Sequence, residues 1–420
     1  MAGLLPKRVV VTGLGVVSPL GSTVESNWES LLEKKSGLRI LTPDDMPYQE
    51  KVKVKTGGAV QGFEREKWMK IVPTLKTGYH VHSASTANMA LQDANWDPKS
   101  EEEITQTGVM FGSHRTSSID SLYAQKAVVE HGYERLERLV LPKVIVSMCI
   151  GTISIPKKIC GFSNSFCAGN CTGVNAIGDS YRALGVGDSK VIIAGAAEHD
   201  LDPAVFESLI KGNYGYNTEA DSNPSESVNP FDNGRKGWVL STGGGAVLLE
   251  DLDHAKQRGA PIYAEIAGYS MLSEAGTETA KQGRGLERSM KRALHQAQLN
   301  PSDVDAVFAD ASGHLEFDEG EANAILKVFG EKGPSVTALK GGLGHMQGSS
   351  SSVNVALAAH SLKAGVLPPI TNLKDPLKPQ GKSLDYLTEA REKKLKAVVC
   401  NSINFDGTGY ASLVLKAFEG

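Results

Sequence analysis

Between Ser165 and Val174 the chain places Cys167, Asn170 and Cys171 just ahead of a stretch with helical spacing, Val174 to Leu184. A cysteine at the N-terminus of a buried helix has its pKa lowered by the partial positive charge there, and its thiolate attacks acyl thioesters. Asn170 has no such chemistry, because a carboxamide nitrogen is delocalised and is not a nucleophile at neutral pH. Cys167 and Cys171 also raise a metal pair, but no second pair with nearby histidines completes a tetrahedral set. No metal is therefore expected. The five cysteines, Cys149, Cys160, Cys167, Cys171 and Cys400, are odd in number and scattered, which argues against a disulfide framework. Small buried apolar side chains are the simpler reading for them.

The elements that must carry this stretch alternate. Arg8–Val11 is a β-branched strand leading to Gly13-Leu14-Gly15, read as a turn, and Ser22-Thr23-Val24-Glu25 starts a helix carrying Trp28, Leu31 and Leu32. The glycine pair lacks the third glycine and the distant acidic residue of a dinucleotide fingerprint. Residues 40–80 are polar and irregular, with Pro43, Pro47 and Pro73. Gly108–Gly112 and Val191–Gly195 read as buried strands. A second cycle follows, with strands at Ala246–Glu250, Tyr263–Ala267 and Val304–Asp310 and helices at Gly285–Leu299 and Asp318–Phe329. Ala397–Ser402, with Gly407 and Gly409 after it, echoes the N-terminal start. The pattern predicts an α/β protein of two similar halves.

The chain has 420 residues and a net charge of -4, with 22% charged and 40% apolar residues. That is ordinary for a soluble globular protein and gives no reason to expect nucleic acid or an anionic membrane as partner. No apolar run is long enough to span a bilayer. Met1–Pro6 is too short for a signal segment ahead of the first strand, so a cytoplasmic protein is expected.

The stretch Ser165–Val174, the run Asn401-Ser402-Ile403-Asn404-Phe405-Asp406-Gly407-Thr408-Gly409 and Pro230-Phe231-Asp232 together resemble the β-ketoacyl synthases of the thiolase superfamily, which serve type II fatty-acid and polyketide synthesis. The resemblance covers Arg8 to Lys416 and is ungapped from Gly161 to Glu198. It implies the thiolase fold, five αβαβα layers built from two pseudo-repeated halves. These would be residues 1–250, with the nucleophile elbow, and residues 251–420. It also implies dimerisation through the sheet edge near the elbow.

Working members of that family use one cysteine and two histidines. The match puts Asn170 at the cysteine position. Counting back from Asp318-Glu319-Gly320-Glu321-Ala322 puts Asp310 at the first histidine position, although a gap near Gly313 would bring in His314 instead. Lys340 and His345 match the family's lysine-to-histidine segment, either as site remnants or as satisfied buried groups. Asp310 is expected to be ionised against Lys340, since an isolated buried carboxylate is costly. Phe405 matches the aromatic that gates the acyl pocket, or simply packs in the core. Thr242 stands where the family usually has an acidic residue, so hydrogen bonding there should differ. Leu139–Met148 reads as a stretch lining a tunnel and contacting a partner, or as core.

Ala309-Asp310-Ala311 with Glu316, Asp318 and Glu321-Ala322 looks most like the chain-length factors of type II polyketide synthases. Those usually carry glutamine where this chain has the shorter Asn170. The implied role is a catalytically silent subunit that pairs with an active ketosynthase as a heterodimer and shapes the acyl tunnel. An acyl carrier protein would be a second partner, with no cofactor. One alternative is a malonyl-carrier-protein decarboxylase, which Asp310 disfavours because a carboxylate repels a developing enolate. Another is a condensing enzyme using Cys171 or Cys167. Cys171 would point away from the apex, since one helical step turns a side chain by about 100°.

Overall fold

The computed structural model describes residues 7–64, 66, 78–115, 117–199, 201–274, 282–405 and 407–419. Met1–Pro6, Pro73 and Asp406, which enter the reading above, lie outside them. In the first half, strand Val9–Val17 pairs antiparallel with Gly243–Asp251, and that strand pairs antiparallel with Val191–Glu198. Thr107–Gly112 and then Ser163–Phe166 follow in parallel. The second half repeats this order and direction. Ala264–Leu272 pairs antiparallel with Tyr410–Lys416, which pairs antiparallel with Ala397–Ile403. Ala306–Ala309 and Ser335–Ala338 then follow in parallel, with Asp385–Tyr386 at the margin. Val9–Val17 also pairs with Ala264–Leu272 and joins the halves into one 11-stranded sheet. The pseudo-repeat, weak in sequence, is plain in topology.

Two helices fill the middle. Thr172–Val186 and Gly348–Ala364 pack on each other and on strands of both halves. Gly78–Asp93 and Met148–Lys157 cover the outer side of the first half, and Arg284–Ala297 with Leu315–Phe329 covers the second. The result is five layers. The central pair fits because its contacts are small: a Cβ on Gly173 would lie 2.7 Å from the Ser352 nitrogen.

Gly13-Leu14-Gly15 is not a turn, because the strand runs through it to Val17. A Cβ at Gly13 or Gly15 would come within 2.1 Å of the carbonyl oxygens of Ala90 and Thr86. These glycines therefore let a helix lie against the strand. That helix, Gly78–Asp93, is absent from the sequence reading and is buried on nearly every face, so it has no apolar stripe. Its hydroxyls are satisfied internally, with Ser83, Ser85 and Thr86 donating to Tyr79 O, Val81 O and His82 O at 2.7–2.8 Å.

Candidate functional site

Strand Ser163–Phe166 leads into a single 3-10 turn, Gly169–Cys171, and then into the central helix Thr172–Val186. Gly169 sits at φ +64°, and a Cβ there would meet the Asn404 Oδ1 at 2.6 Å. Only glycine fits such an elbow. Asn170, at its apex, is 2% exposed. Its Nδ2 donates to Ile403 O at 3.1 Å, while its Oδ1 is buried without a hydrogen-bond partner. Ser402 Oγ donates to Asn170 O at 3.3 Å, and Cys171 N donates to Asn404 Oδ1 at 3.1 Å. The elbow is thus stitched to the end of strand Ala397–Ile403.

Asp310 follows strand Ala306–Ala309, and its Oδ1 lies 2.7 Å from Lys340 Nζ. The same ammonium donates to Asp310 O. The expected pair is therefore formed, with both side chains buried. Behind it, Glu321 accepts from Asp310 N at 3.0 Å, Ala311 N at 2.8 Å and Asn401 Nδ2 at 3.0 Å. Burial, reinforced by the Asp310 charge, pushes the Glu321 carboxyl up to about 8. A small void of about 10 Å³ lies among Asp310, Lys340, Asn354 and Asn401.

His345 is 1% exposed, and its Nδ1 accepts from Gln347 N at 2.9 Å. The ring proton is thereby fixed on Nε2. Burial, then the neighbouring Lys340 charge, holds the imidazole well below its usual pKa, so it is neutral. Phe405 lies 4.9 Å from His345 between ring centroids and stacks on Trp238 at 4.4 Å and 13°. Phe405 is half-buried, and it borders a cavity of about 440 Å³ lined by Tyr214, Gly215, Gly237, His314 and Phe317. Phe405 thus touches both this cavity and His345, which also packs against Trp238.

His314 does not replace the first histidine. Its Nδ1 caps helix Leu315–Phe329, accepting from Glu316 N at 3.1 Å and Phe317 N at 3.4 Å, and its ring lines the outer cavity. Cys171 is fully buried with its thiol directed at Gly409 O, 3.8 Å away. Cys167 is exposed, directs its thiol to His114 O at 3.0 Å, and is pushed up in pKa by burial and the Glu198 charge. Cys149, Cys171 and Cys400 are the buried apolar cysteines expected, whereas Cys160 and Cys167 are exposed. Thr242 donates its backbone N–H to Gly58 O at 2.8 Å and accepts from Val60 N at 3.3 Å, a role no carboxylate is needed for.

Leu139–Met148 is not core in the single chain: Leu141 is 68% exposed. The sequence reading missed Trp238, Asn404 and Glu321 as parts of the site. Asn404 and Glu321 stood inside quoted motifs, but a carboxamide or carboxylate there reads equally as a surface group.

Two family descriptions match the chain: the β-ketoacyl synthase N-terminal domain over residues 6–255 and the C-terminal domain over residues 263–374. The chain belongs to the β-ketoacyl synthase family. It is 34% identical to a mitochondrial 3-oxoacyl-[acyl-carrier-protein] synthase of Arabidopsis thaliana, over 97% of this chain and 93% of that one. A type II PKS acyl-carrier protein in complex with its ketosynthase, bound to the hexaketide, aligns with TM-score 0.85 and 25% identity. That match covers 99% of this chain and 100% of the other. The ishigamide ketosynthase/chain length factor shares the fold, with TM-score 0.87 and 24% identity over 99% and 100% of the two chains. Among the described residues no helix is long and apolar enough to cross a membrane.

Proposed function

We propose that this chain is a non-condensing subunit of the ketosynthase type, a chain-length factor that pairs with an active ketosynthase and shapes the tunnel for its acyl chain. The observation that carries this reading is Asn170, buried at the elbow apex in the place of a nucleophile. Asp310, tied to Lys340, supports it from the other side. Stabilising an enolate needs a donor there, and losing one such donor costs roughly 2.7 to 4 kcal/mol. A carboxylate is worse than a gap, which also counts against a decarboxylase.

Pairing is supported by the surface. Among the described residues strand Ser163–Phe166 is an edge of the sheet, with its outer side unpaired. The segment leading to it exposes Val129 at 84%, Tyr133 at 79% and Leu141 at 68%. Apolar side chains so placed suit a large obligate interface. An acyl carrier protein would deliver the chain to the active partner.

The names of the 3-oxoacyl-[acyl-carrier-protein] synthase relatives favour a second reading, condensation through another cysteine. Cys171 opposes it by its burial in the core, and Cys167 by a thiol kept protonated. Intact-mass analysis after incubation with acyl-carrier protein thioesters decides between them. The silent reading expects no covalent acyl group on the purified chain. A stoichiometric adduct mapped to Cys171 or Cys167 overturns it.

A further inference from the structure

Two carboxamides face each other across the elbow and the turn after strand Ala397–Ile403. Asn170, on the elbow, donates from Nδ2 to Ile403 O at 3.1 Å. Asn404, on the turn, accepts from Cys171 N at 3.1 Å. Both bonds are donated by the elbow and accepted by the turn, each pairing one side chain with the other segment's backbone. The next residue on the turn is Phe405, whose ring stacks on Trp238 and covers His345.

Asn404 is held in turn from behind. Its N–H donates to Gly409 O at 2.9 Å, and its carbonyl accepts from Gly407 N at 2.9 Å. Gly169 and Gly409 leave room for its side chain, since a Cβ on either would come within 2.6 Å of it. A thiol at position 170 is a weak donor on a short arm and cannot make the same bond to Ile403 O.

We infer that Asn170 is a positioning residue that fastens the Ile403–Phe405 turn, keeping Phe405 over His345 and closing this chain's own mouth to an extended acyl ligand. With the turn fastened, the Phe405 ring that lines the cavity of about 440 Å³ stays packed against His345. The residue that removes the nucleophile also shuts the path to where it would stand. Any acyl chain this protein contacts therefore arrives from another subunit, not through its own entrance. The latch acts within one chain, so it stands or falls apart from the pairing with a ketosynthase.

The test uses the full chain and the near-isosteric Asn170→Leu, which keeps the volume and loses the donor. Two quantities are read: hydrogen–deuterium exchange of peptides carrying Ile403–Phe405, and calorimetric binding of the S-dodecanoyl thioester of N-acetylcysteamine. Loss of one hydrogen bond should speed exchange of that turn about 5-fold or more, with helix Thr172–Val186 unchanged. The thioester should bind the variant at least about 10-fold tighter than the parent chain. Should Asn170→Leu fail to fold, Asn404→Ala removes the reciprocal bond and should give the same pair of changes. Unchanged exchange in the turn, or a parent chain that binds the thioester as tightly as the variant, overturns the latch.

Discussion

Lys340 Nζ sits 2.7 Å from Asp310 Oδ1, with both side chains buried. The ammonium has a second acceptor in Asp310 O, so the lysine is committed to the aspartate at two points. A pair so buried contributes little as a pair, but either partner alone is a stranded charge.

Lys340→Met should therefore cost about 3–5 kcal/mol of unfolding free energy. The double variant Lys340→Met with Asp310→Leu should recover most of that loss. Urea denaturation at pH 7 measures both. A double variant as unstable as the single one would mean that the lysine acts through other contacts.

Restoring the thiol alone should not restore condensation. In Asn170→Cys, Asp310 still repels an enolate and His345 is the one neutral imidazole of the expected pair. Adding Asp310→His should raise decarboxylative condensation at least about 100-fold over Asn170→Cys, the usual effect of one such donor. Product release from malonyl-carrier protein and an acyl primer gives the rate. Equal rates for the two variants would show that position 310 plays no part.

Acid should weaken the fold in a defined window. Burial lowers His80 and His314 to about 4, and His345 lies well below its usual value. The folded state then binds fewer protons than the unfolded chain, so stability is full above about 6.5 and falls as pH drops towards 4. Glu321, raised to about 8, and Asp93, Asp179 and Asp318, raised by burial, work in the opposite sense, losing stability as pH rises from the ordinary carboxylate range, so the histidine contribution is isolated by comparing variants. Protonating His314 at Nδ1 also removes the cap of helix Leu315–Phe329. His314→Asn keeps a capping acceptor and should cut the proton uptake on unfolding between pH 4 and 6.5 by about one. Thermal melts across that range test this, and an unaltered slope would contradict it.

Most of the strand and helix order was legible because both halves of the sheet bury continuous β-branched runs and the later helices carry clear stripes. Helix Gly78–Asp93 was not, since a helix buried all round has no polar face to set its period. Gly13 and Gly15 misled for a related reason: they serve a helix packed on the strand, and that helix had gone unseen. At the candidate site, Asn170, Asp310, Lys340, His345 and Phe405 were named because they sit at fixed positions in matching motifs, and of these the Asp310–Lys340 pair forms as expected. Trp238 and the Asn170–Ile403 bond were not. Both are contacts between segments far apart in the chain, 167 residues apart for Trp238 and Phe405 (405 - 238), and spacing alone does not encode them.

The apolar surface gives a separate expectation. Val129 and Leu141 are 84% and 68% exposed, so replacing them by arginine should change the stability of the isolated chain by less than about 0.5 kcal/mol. The same Val129→Arg and Leu141→Arg changes should abolish co-purification with a ketosynthase. Retained pairing would place the interface elsewhere.

The central claim, a silent subunit working beside an active one, is tested most directly by native mass spectrometry of the tagged chain purified from its own host. The account predicts a complex with a second subunit of similar mass whose elbow carries an intact cysteine. A clean homodimer that condenses malonyl-carrier protein with an acyl primer on its own would contradict it.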